Sequence, residues 1–166
     1  TESFLSELMA GMAKALAGYG WDLTVLVPHS VEEELELFQK IARTRHISGL
    51  VISRTYSDDQ RFRILRDLKI PFVSHGRSND SDITAWLDVD NERAFAEMTA
   101  HLAGLGHERI GHIAGPEVYN FARQRAAGWR RGMVEAGLDP DGAPVEVTEL
   151  SFDGGKAAMR RLLARN

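Results

Sequence analysis

The residues with the richest chemistry stand where the chain switches from extended to helical patterning. They are Arg54 and Thr55, then His75 and Arg77, then Tyr119, Asn120, Phe121, Arg123 and Arg125. A guanidinium offers several N–H donors in a rigid fork and aromatic faces stack on sugar rings or bases, so this mixture suits a polar small molecule in a crevice. The same arginines would serve equally as solvated loop residues paired with neighbouring acids, and the residue pattern alone leaves both open.

Other chemistries find little support. The chain has no cysteine, which removes disulfides, thiolate catalysis and Cys-ligated zinc or iron–sulfur centres. His101, His107 and His112 straddle a helix, its cap and a strand without the i, i+4 spacing of a metal pair, so no metal is expected. Asp58-Asp59 stands at a helix start, where carboxylates complement the N-terminal dipole. The pairs Gly18/Gly20 and Gly104/Gly106 follow helices rather than strands and lack a third glycine, so they are helix C-caps and not a dinucleotide loop. There is no Gly-x-Ser-x-Gly elbow and no Walker loop. Neither an enzyme nor a cofactor is expected.

Composition sets the outer bounds. The chain has 166 residues, a net charge of −4, 43% hydrophobic and 27% charged residues, which is globular and gives no basic surface for nucleic acid. No stretch approaches the ~18 apolar residues of a membrane span, and a cytoplasmic location is expected.

The elements that must carry the site follow from periodicity. Phe4, Leu5, Leu8, Met9, Met12, Ala15 and Leu16 form a helical stripe, and Trp21 to Val27 alternates as a strand ending at Pro28. Ser30 and Glu33 form a capping box before a helix with Leu35, Leu37, Phe38 and Ile41. Strands are expected at Gly49–Ser53, Ile70–Ser74, Thr84–Val89, Arg109–Ala114 and Val145–Leu150. Between them come helices started by Ser57 with Gln60, by Asp90 or Asn91, near Ala122 and near Lys156, and a polar loop over residues 76–83. Regular alternation of this kind means an α/β fold with mostly parallel sheets, and ligands in such sheets bind beyond the strand C-termini. The loops after Val27, Ser53, Ser74, Val89 and Ala114 are therefore the ones to search.

Several segments resemble the effector-binding core of the LacI/GalR family of bacterial transcriptional regulators. Ser3-Phe4-Leu5-Ser6-Glu7-Leu8 resembles the family's first-helix signature, with Ser3 in place of the usual proline. Gly20-Trp21-Asp22-Leu23, Ile47-Ser48-Gly49-Leu50-Val51 and Ile70-Pro71-Phe72-Val73 are similar to its next three strand starts, and Val89-Asp90-Asn91-Glu92 to its crossing into a second subdomain. The most specific segments are the run Leu105–Pro116, then Arg125-Ala126-Ala127-Gly128-Trp129 and Glu135-Ala136-Gly137-Leu138. Ser53-Arg54-Thr55, Ser74-His75-Gly76-Arg77 and Asn120-Phe121-Ala122 look like the branch that regulates alpha-glucoside uptake.

The resemblance implies a periplasmic-binding-protein-like type I fold of two Rossmann-like parallel-sheet subdomains, residues 1–90 and the first part of a second at 91–166. It implies a small sugar effector held in the cleft, with Phe4, Arg54, Thr55, His75, Arg77, Asp90, Asn120, Phe121 and Arg125 as contacts, and Arg125 on the family's effector arginine. Gly76 stands where the family commonly carries a carboxylate. Gly128-Trp129 is expected to pack a helix against the sheet. Operator DNA would be met by a helix-turn-helix outside these residues, within a homodimer and away from any membrane. The family's first strand and its closing strands are also expected to lie outside the chain, so the 166 residues alone should be poorly soluble or unfolded. The competing expectations are a periplasmic sugar-binding protein serving an ABC transporter, and a doubly wound enzyme.

Overall fold

A computed structural model describes residues 2–79 and 85–165. Helix α1 (Glu2–Ala17) ends where Gly20 takes a φ of 71° and the amide of Trp21 returns to the carbonyl of Leu16. Helix α2 (Val31–Thr44) starts as its capping residues require. Ser30 Oγ accepts the Glu33 amide at 3.1 Å, and the Glu33 carboxylate takes the amide of His29 at 2.8 Å, one residue before the cap.

The expected strand from Trp21 to Val27 is not formed, because the segment has no hydrogen-bonded neighbour among the described residues. Alternating β-formers make a strand only when a partner accepts their amides. The remaining strands are shorter than periodicity suggested: β1 (Leu50–Ser53), β2 (Phe72–His75) and β3 (Trp86–Leu87) form one parallel sheet in that order. Its register sets Leu50 opposite Phe72, Ser53 opposite His75 and Ser74 opposite Trp86. Thr84, the expected start of the third strand, and residues 80–83 of the polar loop lie outside the described residues.

Helix α3 (Gln60–Asp67) is capped by Asp59 and not by Ser57. The Asp59 carboxylate is buried and accepts the amides of Arg61 and Tyr56 at 3.2 and 3.1 Å, which a more distant Ser57 hydroxyl could not do. The Arg61 guanidinium neutralises it at 2.6 Å and reaches back to the carbonyl of Arg54 at 3.1 Å, fixing the loop after β1. Beneath lies the first core, where Phe38 and Ile41 of α2, Ile52, Phe62, Leu65 and Ile70 meet. Each fully buried side chain of this size contributes ~1.5–3 kcal/mol.

In the second half, α4 (Asn91–Gly104), β4 (His112–Ala114), α5 (Asn120–Glu135), β5 (Val145–Val147) and α6 (Phe152–Leu163) follow in turn, with β4 and β5 parallel. Asp90 caps α4 by accepting the Arg93 amide at 3.1 Å. Gly128 and Trp129 divide the packing expected of them jointly. A Cβ on Gly128 would sit 2.0 Å from the carbonyl oxygen of Glu92, so Gly128 lets α5 meet α4 rather than the sheet. Trp129 faces the sheet, donating Nε1–H to Ile110 O at 3.1 Å and packing with Met133 in the second core.

Candidate functional site

Arg125 lies one turn into α5, just past the C-terminal end of β4, and is partly buried. Its guanidinium is held between Phe121 and Phe95, 4.9 and 5.6 Å from the ring centroids. Nε–H donates to Asn91 Oδ1 at 2.8 Å, while the two Nη groups donate to no described residue and form no ion pair. Burial lowers the Arg125 pKa from its ordinary value and the Asp88 carboxylate works against that shift. A positive fork with unused donors between two aromatic faces is a seat for an acceptor-rich ligand.

The strand ends of the first sheet face the start of α5. Tyr56 and Tyr119 form an antiparallel bridge, their rings stack at 5.7 Å, and Tyr119 stacks in turn on Phe121 at 5.5 Å. Asn120 is buried and fully engaged: its amide donates to Thr55 O at 3.0 Å, Nδ2 to Arg77 O at 2.8 Å, and Oδ1 accepts from Ser57 Oγ at 3.3 Å. Thr55 is equally buried and donates its hydroxyl to Arg77 O at 2.7 Å. These two expected contacts fasten the strand-end loops together, with their polar atoms already in use.

The other expected contacts fall into two groups. Phe4 is exposed with its ring 6.0 Å from that of His75, whose Nδ1 pairs with Ser53 Oγ at 3.1 Å. Arg54 is exposed with a φ of 54°, and Arg77 lies over the ring of Trp86 at 5.2 Å. Asp90 is exposed and occupied as the α4 cap, so it is the next residue, Asn91, that meets Arg125. At Gly76 the φ of 112° and a Cβ position 2.6 Å from the Thr55 hydroxyl exclude a larger side chain. The carboxylate beside Arg77 comes from Asp88 instead, which accepts the Arg77 amide at 3.0 Å and lies 3.4 Å from its Nε.

A cavity of about 260 Å³ opens between Arg54, Pro116, Tyr119, Glu149, Leu150 and Ser151. Glu149 and Ser151 were missed in the sequence, although the rule that ligands sit beyond strand C-termini applies to β5 as well. A second concavity, about 340 Å³ lined by Ala100, Ala103, Gly104, Glu135 and Ala136, lies at the C-terminal ends of α4 and α5. It is therefore at the opposite pole from the strand C-termini. No group of three or more His, Asp or Glu suited to a metal occurs among the described residues. None of the described helices is long and apolar enough to cross a membrane.

Residues 1–166 match the family model described as periplasmic binding proteins and sugar binding domain of LacI family. The chain is 34% identical over 160 residues to the HTH-type transcriptional regulator AglR of Rhizobium meliloti, covering 96% of this chain and 45% of that protein. Among solved structures, the transcriptional regulator CelR–cellobiose complex superposes with a TM-score of 0.79 at 29% identity, covering 93% of this chain and 48% of that one. A transcriptional regulator from Yersinia pestis superposes with a TM-score of 0.85 at 29% identity, covering 99% and 58%. The chain thus spans about half the length of the relatives it matches.

Proposed function

Because the chain belongs to the LacI family of periplasmic-binding-protein-like sugar-binding domains, we propose that it is the effector-sensing core of a sugar-responsive transcriptional regulator. The observation that carries this reading is Arg125, a partly buried guanidinium framed by Phe95 and Phe121 whose Nη donors no described residue uses. Sugar hydroxyls accept such donors in a bidentate way, and aromatic rings cover their apolar faces.

In this reading the first subdomain ends near Asp90, the second begins at Asn91, and the effector sits between them. Arg125, Phe121 and Tyr119 contribute from one side, and Arg54, Arg77, His75 and Phe4 from the other. Thr55 and Asn120 brace the loops. Binding changes the balance between relative orientations of the subdomains and so alters how a homodimer presents a DNA-reading head to its operator in the cytoplasm. No bond is made or broken, and the protein is a sensor, not an enzyme. The likeness to the cellobiose-bound CelR supports a glucoside, and the resemblance of Ser53-Arg54-Thr55, Ser74-His75-Gly76-Arg77 and Asn120-Phe121-Ala122 to the alpha-glucoside branch leads us to assign an alpha-glucoside first.

The test is a thermal-shift screen of the intact regulator against alpha-glucosides, other mono- and disaccharides, and purines. A ligand at ~100 times its Kd stabilises the native state by ~2.7 kcal/mol. A shift with an alpha-glucoside that Arg125→Ala abolishes is the expected result. A shift only with purines overturns the sugar assignment. Release or capture of operator DNA by the same sugar separates a regulator from a transporter-associated binding protein, whose sugar site would have no effect on DNA.

A further inference from the structure

The segment joining the two sheets carries a hydrogen-bonded chain that ends on Arg125. Asn91, the first residue of α4, is only 4% exposed. Its Oδ1 accepts from Arg125 Nε–H at 2.8 Å, and its Nδ2 donates to Val89 O at 3.0 Å and to Asp88 Oδ1 at 3.3 Å. The other oxygen of Asp88 takes the amide of Arg77. Chemistry fixes the orientation of the amide, since Nδ2 cannot accept from a guanidinium and Oδ1 cannot donate to a carboxylate. A carboxylate at this position would face Asp88 with like charge, which accounts for an amide standing between an arginine and an aspartate.

We propose that Asn91 is the positioning residue of the effector site. It holds Arg125 by Nε so that both Nη groups point at the ligand, and it ties the occupancy of Arg125 to the crossover at Asp88 and, through it, to Arg77. Phe95 and Phe121 lie 5.6 and 4.9 Å from the guanidinium carbon, but ring contacts have little directionality, whereas the Asn91 bond fixes the direction of Nε–H. A ligand that moves Arg125 must therefore strain or shift Asn91, and the crossover with it. The ligand-binding part rests on the reading of Arg125 given above; the positioning part does not.

The experiment uses the intact regulator labelled with 15N-arginine, with Arg125→Ala assigning the Arg125 Nε–H resonance, and maltose and cellobiose as calorimetric probes. The expected wild-type signal is protected from solvent exchange. Asn91→Ala should bring it to the exchange rate of exposed arginines and weaken the sugar that binds about tenfold, the loss usual for a hydrogen bond to a charged group. Asn91→Asp keeps an acceptor for Nε–H but repels Asp88, so protection should persist while the sugar's effect on operator affinity shrinks. An unchanged Nε–H resonance in Asn91→Ala overturns the proposal, as does a lost resonance with unchanged sugar affinity. Should Asn91→Ala not fold, exposed Nε–H in Asn91→Asp overturns it and protected Nε–H supports it. Sugar binding that survives Arg125→Ala would remove the site reading, yet the resonance would still decide what Asn91 does; it decides alone if neither sugar binds.

Discussion

Arg125 and His112 both pack against Phe95, and burial lowers the pKa of each. The Phe95 ring meets the His112 ring edge-on at 5.6 Å, and His112 stacks on Trp129 at 5.4 Å, with its Nε2 unpartnered among the described residues. For Arg125, substitution by lysine keeps the charge but loses the fork and the flat face, so Arg125→Lys should respond to sugar nearly as poorly as Arg125→Ala. A thermal shift like that of the wild type would show that charge alone suffices. For His112, burial first and the Arg125 charge second lower the pKa from 6.5. The folded state therefore binds that proton less readily than the unfolded chain, and the group costs stability as pH falls below 6.5 toward its folded value. Urea unfolding of the intact regulator between pH 7.5 and about 5 should show stability declining with acid, and His112→Phe, which keeps the stacked ring, should flatten the slope. Glu146, whose pKa is lowered from 4.5 chiefly by its hydrogen bond with Arg161, adds its own acid loss below that range. An equal slope in both proteins would exclude His112 as its source.

Between elements, the contact of α4 with α5 is the most sensitive to a single methyl group. Gly128 and Gly132 lie one turn apart on α5, and a Cβ on Gly132 would come within 2.7 Å of Thr99 Cβ and 2.8 Å of the Ala96 carbonyl oxygen. Gly128→Ala should destabilise by ~1–3 kcal/mol or more, since backbone of α4 has to move. Gly104→Ala is the control, with nothing within 4 Å of its Cβ, and should be neutral or gain up to ~1 kcal/mol from helix propensity. Equal unfolding midpoints for the two variants would mean the helices separate more easily than their geometry indicates. A packing role for Gly128-Trp129 was legible as sequence, but its division was not, and Gly132 was not singled out: the pair reads as one unit against the sheet, while along a helix adjacent residues face different neighbours, about 100° apart. Helix starts were legible at Ser30 and Asp90, whose side chains cap within three residues, although the same kind of local cap at Ser151 starts α6 at Phe152, four residues before the expected Lys156. They were misplaced at Ser57, where Asp59 wins because Arg61 neutralises it in the folded state. The site divided along the same line. Arg125 was singled out from its type, its neighbours and the family resemblance, whereas the engagement of Thr55 and Asn120 with Arg77 O, and the place of Asn91 beside Arg125, depend on contacts 22 to 43 residues apart.

For the molecule as a whole, what matters is how much apolar surface the described residues leave uncovered. Strand β2 is the middle strand of its sheet, yet Val73 on one face is 45% exposed, and its neighbour Val51 is 42% exposed. Val25, Val27, Trp86 and Leu87 are exposed as well, and the alternating segment Trp21–Val27 carries amides and carbonyls with no ladder partner. Exposed apolar side chains on a central strand and unpaired strand-like backbone both invite association. Two small cores joined by the Asn120 bonds and the Tyr56–Tyr119 stack must hold this arrangement together. The 166 residues produced alone should accordingly melt broadly, bind a hydrophobic dye at 25 °C and aggregate with rising concentration. Calorimetry is the decisive measurement. A single transition of the 166-residue chain with an enthalpy on the order of 100 kcal/mol, as expected for a cooperative domain of this length, would show that these two cores suffice and that the exposed faces are tolerated in solution.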